Sequence, residues 1–485
     1  MFKRKYFWSL IIVISTLILF YPSFNYFYTN DDFFVLNISK PSTLGNFLSY
    51  FDITRAHQGF THFRPLTTQV FFTLAWLFNL SPIPLRIIMF AAFLITGYLI
   101  YKLVTELGLT RKMANMSVFL YMTSATNFGR LYSLSTQEFG YTIFVLLSVI
   151  LLIKYLKQNH PITYYLSLIT FILALASKET AIVTPFLLLI TFIYLKYAKK
   201  PEVERKLSLS TALKLMFPYF LLLAAYLYFR IFHYGFASGD SYIWDFSPRV
   251  VNTIFWYGSW SLNVPEMLVD FIGPGFHINP NLFKFWSDYM IPICILFIIE
   301  ITLLVYMLVT NFKKFFTHNS LFTILYSAFF FLVSLTPVLF LPLHKFTFYL
   351  TLPLVGFVIV IAFLLSTSSQ LQSAIYLIVW FFLSFITLNL TSETNWITQG
   401  EKTAKRVNAY FQNNGDIFTK YDKIVFIDTP EDLDLPWKPS QIIRTTLSDQ
   451  NYFYVYYPGN FRVYYGNDYV SADAYEIKAR QFIGY

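Results

Sequence analysis

Residues 1–32 read MFKRKYFWSLIIVISTLILFYPSFNYFYTNDD, a basic start and an apolar run that ends at two carboxylates. The apolar part, 6–28, exceeds the roughly twenty residues that an α-helix needs to cross a bilayer. It is too long for the apolar core of a secretory signal and has no small-residue cleavage site. We therefore expect an uncleaved first transmembrane helix, with Asp31 and Asp32 at its far end.

The composition of the whole chain is typical of a membrane protein. Of its 485 residues 56% are apolar and 13% are charged, whereas about a quarter of the residues of a soluble protein are charged. The net charge of +10 lies in short clusters between apolar runs, which favours the positive-inside rule over nucleic-acid binding. Cys294 is the single cysteine, so a disulfide framework and a cysteine-rich metal site are excluded.

Eleven apolar runs predict an all-α polytopic fold with about eleven transmembrane helices. A transmembrane β-barrel would instead show alternating segments of about ten residues. The runs lie at about 6–28, 85–105, 113–126, 138–156, 163–177, 180–197, 212–232, 289–310, 320–341, 346–366 and 373–390.

Clusters of lysine and arginine predict the orientation of these helices. If residues 3–5 lie in the cytoplasm, alternation of the loops places four further basic clusters on the same side, at 111–112, 154–157, 196–206 and 313–314. The amino terminus is therefore expected in the cytoplasm, and the two carboxylates after the first helix on the outer face.

This orientation leaves most of the polar residues outside. We expect a transmembrane domain over 1–390, with two long outer loops at 29–84 and 233–288, and a small extracytoplasmic α/β domain over 391–485. Low glycine and abundant Phe, Tyr, Ile, Asn and Lys are typical of AT-rich microbial genomes. The predicted location is therefore a microbial plasma membrane.

Each long outer loop contains an apolar stretch, 65–80 and 250–272. If these stretches crossed the membrane, the basic clusters that follow them would lie on the opposite side of the membrane from residues 3–5. We interpret them as helices in the outer membrane interface, with Trp76, Trp256 and Trp260 as anchors.

The carboxy-terminal segment alternates helix and strand signals. Residues 402–406 begin a predicted amphipathic helix, and 423–428 (KIVFID) has the pattern of a buried strand. Aromatic runs at 451–456 and 461–465 predict two more strands. Together they predict the α/β domain.

The strongest candidates for chemistry are Asp31 and Asp32, because they lie together at the outer membrane boundary. The competing interpretation is that Asn30 or Asp31 caps a following helix. Glu138, at the outer start of the fourth helix, is a further carboxylate at this depth. Its alternatives are a helix cap or an ion pair with Arg130.

Basic and imidazole side chains accompany these carboxylates on the same face. Lys178 interrupts two apolar runs with almost no loop between them, as do His344 and Lys345. Charge near the membrane needs a partner, and a lipid phosphate is one candidate. Scattered interface charges are the alternative interpretation. The same face also carries Arg55, His57, His62 and Arg64.

The chain carries four short motifs in the order Asn30-Asp31-Asp32 after the first helix, His62-Phe63-Arg64-Pro65-Leu66-Thr67, Ala176-Ser177-Lys178-Glu179-Thr180, and the segment Leu343 to Leu350 (LHKFTFYL). In this order they resemble the GT-C superfamily of polytopic glycosyltransferases, in particular protein O-mannosyltransferase-like enzymes. The resemblance covers the membrane region to about residue 366. The chain departs from the tetratricopeptide-bearing members in lacking their repeat array, and it has His344-Lys345 where Glu-Arg is usual.

The resemblance implies transfer of a sugar from a polyprenyl-phosphate donor to a protein, lipid or glycan acceptor, with inversion, on the outer face. Such a reaction needs a carboxylate base, either Asp31 with Asp32 as its orienting partner or the reverse. It also needs positive charge where the lipid phosphate departs. The candidates for donor-phosphate binding are Arg64, Lys178, Lys345 and His344. Glu138 and His62 are candidates for acceptor or metal-site support; a divalent cation, held by Asp31 and Glu138 with a histidine, is left open.

Two other functions remain in view. A transporter or flippase of a lipid-linked or anionic substrate would use charges along a path through the membrane, yet Glu300 is nearly alone at mid-depth. The likelier role of Glu300 is an interhelical hydrogen bond. A structural subunit that binds a partner through its outer tail would not need Asp31 or Asp32.

Overall fold

The computed structural model describes residues 7–54, 62–136, 138–198, 208–235, 239, 241–315 and 317–484. Arg55, His57 and the basic residues at 3–5 and 199–206 lie outside the described residues. Inferences that use them rest on the sequence alone.

The described chain is mostly helical. The helices up to residue 232 are α1 (Phe7–Phe20), α2 (Asp31–Ile38), α3 (Leu44–Ser49), α4 (Phe71–Leu77), α5 (Pro82–Glu106), α6 (Arg111–Met122), α7 (Phe128–Tyr132), α8 (Glu138–Gln158), α9 (Pro161–Leu175), α10 (Thr184–Tyr197) and α11 (Leu209–Phe232). Those from 250 to 394 are α12 (Val250–Ser261), α13 (Leu268–Phe271), α14 (Asn281–Thr310), α15 (Phe312–Phe315), α16 (His318–Leu339), α17 (Pro353–Thr367) and α18 (Gln370–Thr394).

Eight apolar helical segments of the described residues are long enough to cross a bilayer. They are Phe7–Asn25, Pro82–Glu106, Glu138–Gln158, Glu179–Tyr197, Ser210–Phe232, Asn281–Thr310, His318–Leu339 and Gln370–Thr394. The helices α9 and α17 are also apolar, but their 15 residues rise only about 22 Å. The predicted class, an α-helical integral membrane protein, is confirmed, whereas the number of about eleven spans stays a prediction.

The connections between these helices gather at two ends of the bundle. At one end Lys157 Nζ lies 2.9 Å from Glu106 Oε2, and Lys112 Nζ donates to the Ser366 carbonyl at 3.4 Å. Two of the basic clusters that the sequence assigns to the inner side, 111–112 and 154–157, lie at this end. The other set of connections, including the one that carries Asp31, lies at the opposite end, which we call the Asp31 end.

The two apolar stretches of the outer loops fold back onto the protein. Residues Pro65–Val70 form a π-helical segment that runs into α4, and Trp76 Nε1 donates to the Leu36 carbonyl at 3.0 Å. On α12, Trp256 and Trp260 are buried inside the protein. Their predicted role as membrane-interface anchors is therefore wrong, because tryptophans of an amphipathic stretch serve equally well as core residues.

The carboxy-terminal segment forms a small α/β unit. Its elements are α19 (Trp396–Asn413), α20 (Ile417–Lys420), α21 (Pro439–Thr446), α22 (Asn451–Tyr456), β3 (Lys423–Ile427), β4 (Arg462–Tyr465) and β5 (Tyr475–Lys478), while β1 (Ile272–Gly273) and β2 (His277–Ile278) form a separate short hairpin. The parallel sheet has the order β4-β3-β5, with β3 at its centre. The predicted strands at 423–428 and 461–465 correspond to β3 and β4.

The strand predicted at 451–456 is wrong, because this segment is the helix α22. The sequence NYFYVY has the aromatic content of a strand. Its rings instead pack against α2, where the centroids of Tyr452 and Phe33 lie 5.2 Å apart. Tertiary packing therefore overrides the local strand preference.

Candidate active site

The site begins at the first turn of α2. Asn30 precedes the helix with φ of 53° and ψ of −125°, a positive-φ conformation that is uncommon for residues other than glycine. The Asn30 side chain makes no capping hydrogen bond to the helix. The helix predicted by the capping interpretation is present, but the Asn30 side chain does not cap it.

Asp32 is buried, and its carboxylate connects two separate segments of the backbone. Its carboxylate accepts hydrogen bonds from the Thr29 amide at 3.2 Å and from the Ser135 amide at 2.8 Å. Burial raises the pKa of Asp32 to about 6, although Arg86 and these amides favour the charged form. Asp32 thus links the start of α2 to the loop that precedes α8.

Asp31 has a different environment. Its side chain lines a cavity of about 250 Å³ and is accessible to water. Among the described residues its carboxylate has no hydrogen-bond or ion-pair partner. The surrounding protein raises the pKa of Asp31, and the charge of Arg64 opposes this shift.

The cavity collects side chains from distant parts of the sequence, all at the Asp31 end. Four of the sequence-predicted site residues line it: Asp31, Arg64, Lys178 and His344. The remaining lining residues are Ser135, Thr136, Tyr242, Phe346, Phe348, Tyr349 and Trp396. A single concave site therefore joins two cations and several aromatic rings with one carboxylate that has no partner among the residues the structure describes.

Arg64 is fixed by a bidentate pair with Glu179. Its Nε donates to Glu179 Oε2 at 2.7 Å, and its Nη2 donates to Glu179 Oε1. The carboxylate outweighs the effect of burial, so the pKa of Arg64 is raised and the group stays charged. Within the described part of the chain Nη1 of Arg64 has no hydrogen-bond partner, so it is available to a ligand.

Lys178 is paired with Glu138 beneath the cavity. Lys178 Nζ donates to Glu138 Oε1, and both side chains are almost fully buried. The ammonium lies 5.2 Å from the ring centroid of Tyr349 and 5.7 Å from that of Phe348. Burial lowers the pKa of Lys178, while Glu138 favours its charged form. Glu138 therefore pairs with Lys178 rather than with Arg130, which the sequence had suggested.

The two histidines predicted as site residues, His62 and His344, are neutral at pH 7. The ring of His344 is hydrogen-bonded to Ser241 Oγ at 3.0 Å and to Tyr349 Oη at 2.9 Å. Burial lowers the pKa of His344 to about 4, with Lys178 adding to the effect. His62 Nε2 lies 3.9 Å from Glu179 Oε1, and burial lowers its pKa to about 4. At neutral pH His344 therefore carries no charge for a phosphate, and both of its ring nitrogens already have hydrogen-bond partners.

Lys345 does not line the Asp31 cavity. Its Nζ donates to Asn252 Oδ1 at 3.1 Å, and it borders two neighbouring cavities of about 720 and 580 Å³. The smaller of these shares Phe346 and Trp396 with the Asp31 cavity. Lys345 thus lies next to the Asp31 cavity, at the cavity that adjoins it.

No metal centre is formed by the side chains that the structure describes. No group of three or more His, Cys, Asp or Glu residues there is placed to hold a metal ion. Glu138, which we considered as a ligand together with Asp31, is engaged by Lys178. The divalent cation stays a prediction, and the described residues provide no group of three such ligands for it.

Several site residues were missed by the sequence interpretation. Glu179 is the counter-ion of Arg64. It directly follows Lys178 in the short charged break between two apolar runs, and this position could have identified it as a site residue. Tyr349 lies within the quoted LHKFTFYL segment. Tyr242 and Trp396 have no local signal, because only the fold brings them to the cavity.

Comparisons with known proteins do not identify a family. No protein-family model, no curated protein and no solved structure matches this chain. The resemblance to the GT-C superfamily therefore rests on the short motifs alone.

Proposed function

We propose that this protein is a GT-C-like glycosyltransferase of the outer membrane face. It transfers a sugar from a polyprenyl-phosphate donor to a hydroxyl of a protein, lipid or glycan acceptor. The observation that carries the proposal is the carboxylate of Asp31, which has no partner in the described part of the chain and shares one cavity with Arg64 and Lys178. This is the pairing of base and cations that such a transfer requires.

Asp31 is the proposed general base. It is the carboxylate of the pair that reaches the cavity, and it has no partner among the described residues to compete for its lone pairs. Its raised pKa makes it a better proton acceptor than an ordinary aspartate while it remains ionised. Asp32 is the proposed positioning residue, since its oxygens are held by the Thr29 and Ser135 amides.

Arg64 and Lys178 are proposed to stabilise the leaving phosphate. As the acceptor oxygen bonds to the anomeric carbon, the bond from that carbon to the phosphate oxygen breaks and its electrons remain on the phosphate. The acceptor proton passes to Asp31. Cations already in place stabilise this developing charge without reorganisation. Attack from the side opposite the departing phosphate inverts the anomeric centre.

Glu300 supports chemistry at the membrane face over transport through the membrane. This carboxylate on α14 accepts a hydrogen bond from Tyr376 Oη of α18 at 2.8 Å. It therefore has the interhelical role that we considered the likelier one. A transport path would place such a group along a polar route through the bundle.

The proposal is tested with the protein in nanodiscs, which have no second compartment, so that transport cannot deplete the donor. We would follow a radiolabelled polyprenyl-phosphate hexose, with a membrane extract as the source of acceptors. The expected result is loss of the donor with release of polyprenyl phosphate. Binding of the donor without any consumption would contradict the proposal and favour a transporter or flippase.

A further inference from the structure

The turn that precedes Asp31 is held by the carboxy-terminal unit. The Asn30 amide donates to the Thr446 carbonyl at 2.7 Å, and Asn30 Nδ2 donates to the Thr445 carbonyl at 3.4 Å. Both acceptors lie at the end of α21. Asn30, the positive-φ residue next to Asp31, is thus fixed by a segment more than 400 positions away in the sequence.

Gly400 brings the helix α19 into direct contact with the same turn. A Cβ atom at position 400 would lie 2.5 Å from Thr29 Oγ1 and 2.7 Å from Asn30 Oδ1. Real Cβ atoms do not approach other atoms so closely. The absence of a side chain at Gly400 therefore leaves room for the Thr29 hydroxyl and the Asn30 side-chain amide, which are hydrogen-bonded to each other.

Further contacts fix the chain on both sides of the turn. Before it, Glu401 Oε1 accepts a hydrogen bond from the Phe27 amide at 3.0 Å. After it, Asn37 Nδ2 donates to Asn451 Oδ1 at 2.9 Å, and Phe33 packs edge-on against Tyr452. The whole of α2 is therefore seated on the carboxy-terminal unit.

We infer that the carboxy-terminal unit, 396–484, is the positioning element of the site, and that Gly400 and Asn30 set where the Asp31 carboxylate lies. The inference rests on the proposed function, because it concerns the base of that reaction. The unit also contributes Trp396 to the cavity wall. A role in positioning explains why an α/β unit is packed against the end of a helical bundle.

The test compares Gly400→Ala with Gly415→Ala, a matched variant in the same unit. Alanine favours the helix at position 400, so the fold is retained, but its methyl group must displace the Thr29 hydroxyl and the Asn30 side-chain oxygen. At position 415 the nearest atom to a new Cβ is 3.8 Å away, which is an ordinary contact. Two quantities are measured: donor turnover, and hydrogen exchange of the peptide that contains Asn30.

For Gly400→Ala we expect a kcat lowered by roughly 10- to 100-fold, since a displacement of about 1 Å can cost that much. The KM for the donor should not change, because Arg64 and Lys178 are not displaced. Exchange at the Asn30 peptide should become faster. Gly415→Ala should match wild type in every quantity.

Faster exchange with unchanged kcat in Gly400→Ala would overturn the inference and leave the proposed function intact. Unchanged exchange would overturn it as well. If wild type consumes no donor, the proposed function fails, and the exchange data still report separately on the contact. Should Gly400→Ala not fold, Asn30→Gly tests the same contact. Glycine accepts a φ of 53°, and the substitution removes the side-chain amide whose Nδ2 donates to the Thr445 carbonyl. It is expected to show the same fall in kcat, and a wild-type kcat would overturn the inference.

Discussion

Asp31 and Asp32 are adjacent in the sequence, but their carboxylates have opposite environments. Asp32 is buried and accepts two backbone hydrogen bonds, whereas Asp31 faces the cavity with no partner among the described residues. The first turn of α2 directs the two side chains apart. This difference assigns separate proposed roles to a pair that the sequence alone could not divide.

The buried Asp32 carboxyl predicts how stability depends on pH. Its folded pKa of about 6 lies above the ordinary value of 3.8, so the folded state binds the proton more tightly. Stability contributed by the protonated form is therefore lost as pH rises from about 4 to 6, by about 3 kcal/mol at most. Thermal unfolding at pH 4.5 and 6.5 should show a smaller fall for Asp32→Asn than for wild type. An equal fall in both proteins would contradict the assignment.

The activity is expected to have an acid limb set by Asp31. A general base must be ionised, and the surrounding protein raises the pKa of Asp31 above its ordinary value of 3.8, so kcat should fall with decreasing pH at values above 3.8. Because Asp32 titrates near 6, the profile is measured in wild type and in Asp32→Asn. A limb that persists in Asp32→Asn belongs to Asp31. A flat acid profile in that variant would count against Asp31 as the base.

The pair of Lys178 and Glu138 predicts a folding defect that a second substitution repairs. Lys178→Met leaves Glu138 buried without its cation, which should cost about 3 to 5 kcal/mol and lower the folded yield. Lys178→Met combined with Glu138→Gln should fold but turn over the donor poorly. Lys157→Met combined with Glu106→Gln, at the other end of the bundle, is the control and should keep its activity. A fully active Lys178→Met/Glu138→Gln protein would exclude Lys178 from the phosphate site.

Arginine at position 64 should not be replaceable by lysine. Lysine keeps the charge but cannot make the bidentate pair with Glu179 and also donate to a ligand. Arg64→Lys is therefore expected to raise the KM for the donor by about 10- to 100-fold, the equivalent of one charge-assisted hydrogen bond. Arg444→Lys, on the surface of the carboxy-terminal unit, is the matched control. Equal KM values for the two variants would show that Arg64 does not contact the donor.

The two ends of the bundle should face opposite sides of the membrane. With Cys294 replaced by serine, single cysteines are placed at the exposed residues Leu343, at the Asp31 end, and Asn159, at the other. An impermeant thiol reagent added to intact cells should label Leu343→Cys. Asn159→Cys should react only after the cells are opened. The reverse pattern would invert the predicted orientation.

The sequence predicted the helical membrane class and much of the site, for separate physical reasons. Apolar runs report membrane helices directly, because length and hydropathy are local properties. Asp31, Arg64, Lys178 and His344 interrupt or border such runs, so their positions at the same end followed from alternation of the loops. Their assembly into one cavity follows from the fold.

The features that were missed depend on contacts between distant segments. The strand signal at 451–456 failed because the aromatic rings of α22 pack on α2, and Trp256 and Trp260 became core residues through the same kind of packing. Lys345 adjoins His344 in sequence, yet it points to Asn252 and away from the cavity. Side-chain direction within a short loop is not encoded in hydropathy or charge.

The central claim is that Asp31 is the base of a sugar transfer from a polyprenyl phosphate. Single-turnover consumption of the radiolabelled donor would be compared in wild type, Asp31→Asn and Asp32→Asn, at equal folded yield and with donor binding measured separately. We predict that Asp31→Asn binds the donor but loses turnover by several orders of magnitude, while Asp32→Asn retains a larger fraction. Wild-type turnover in Asp31→Asn would contradict the claim.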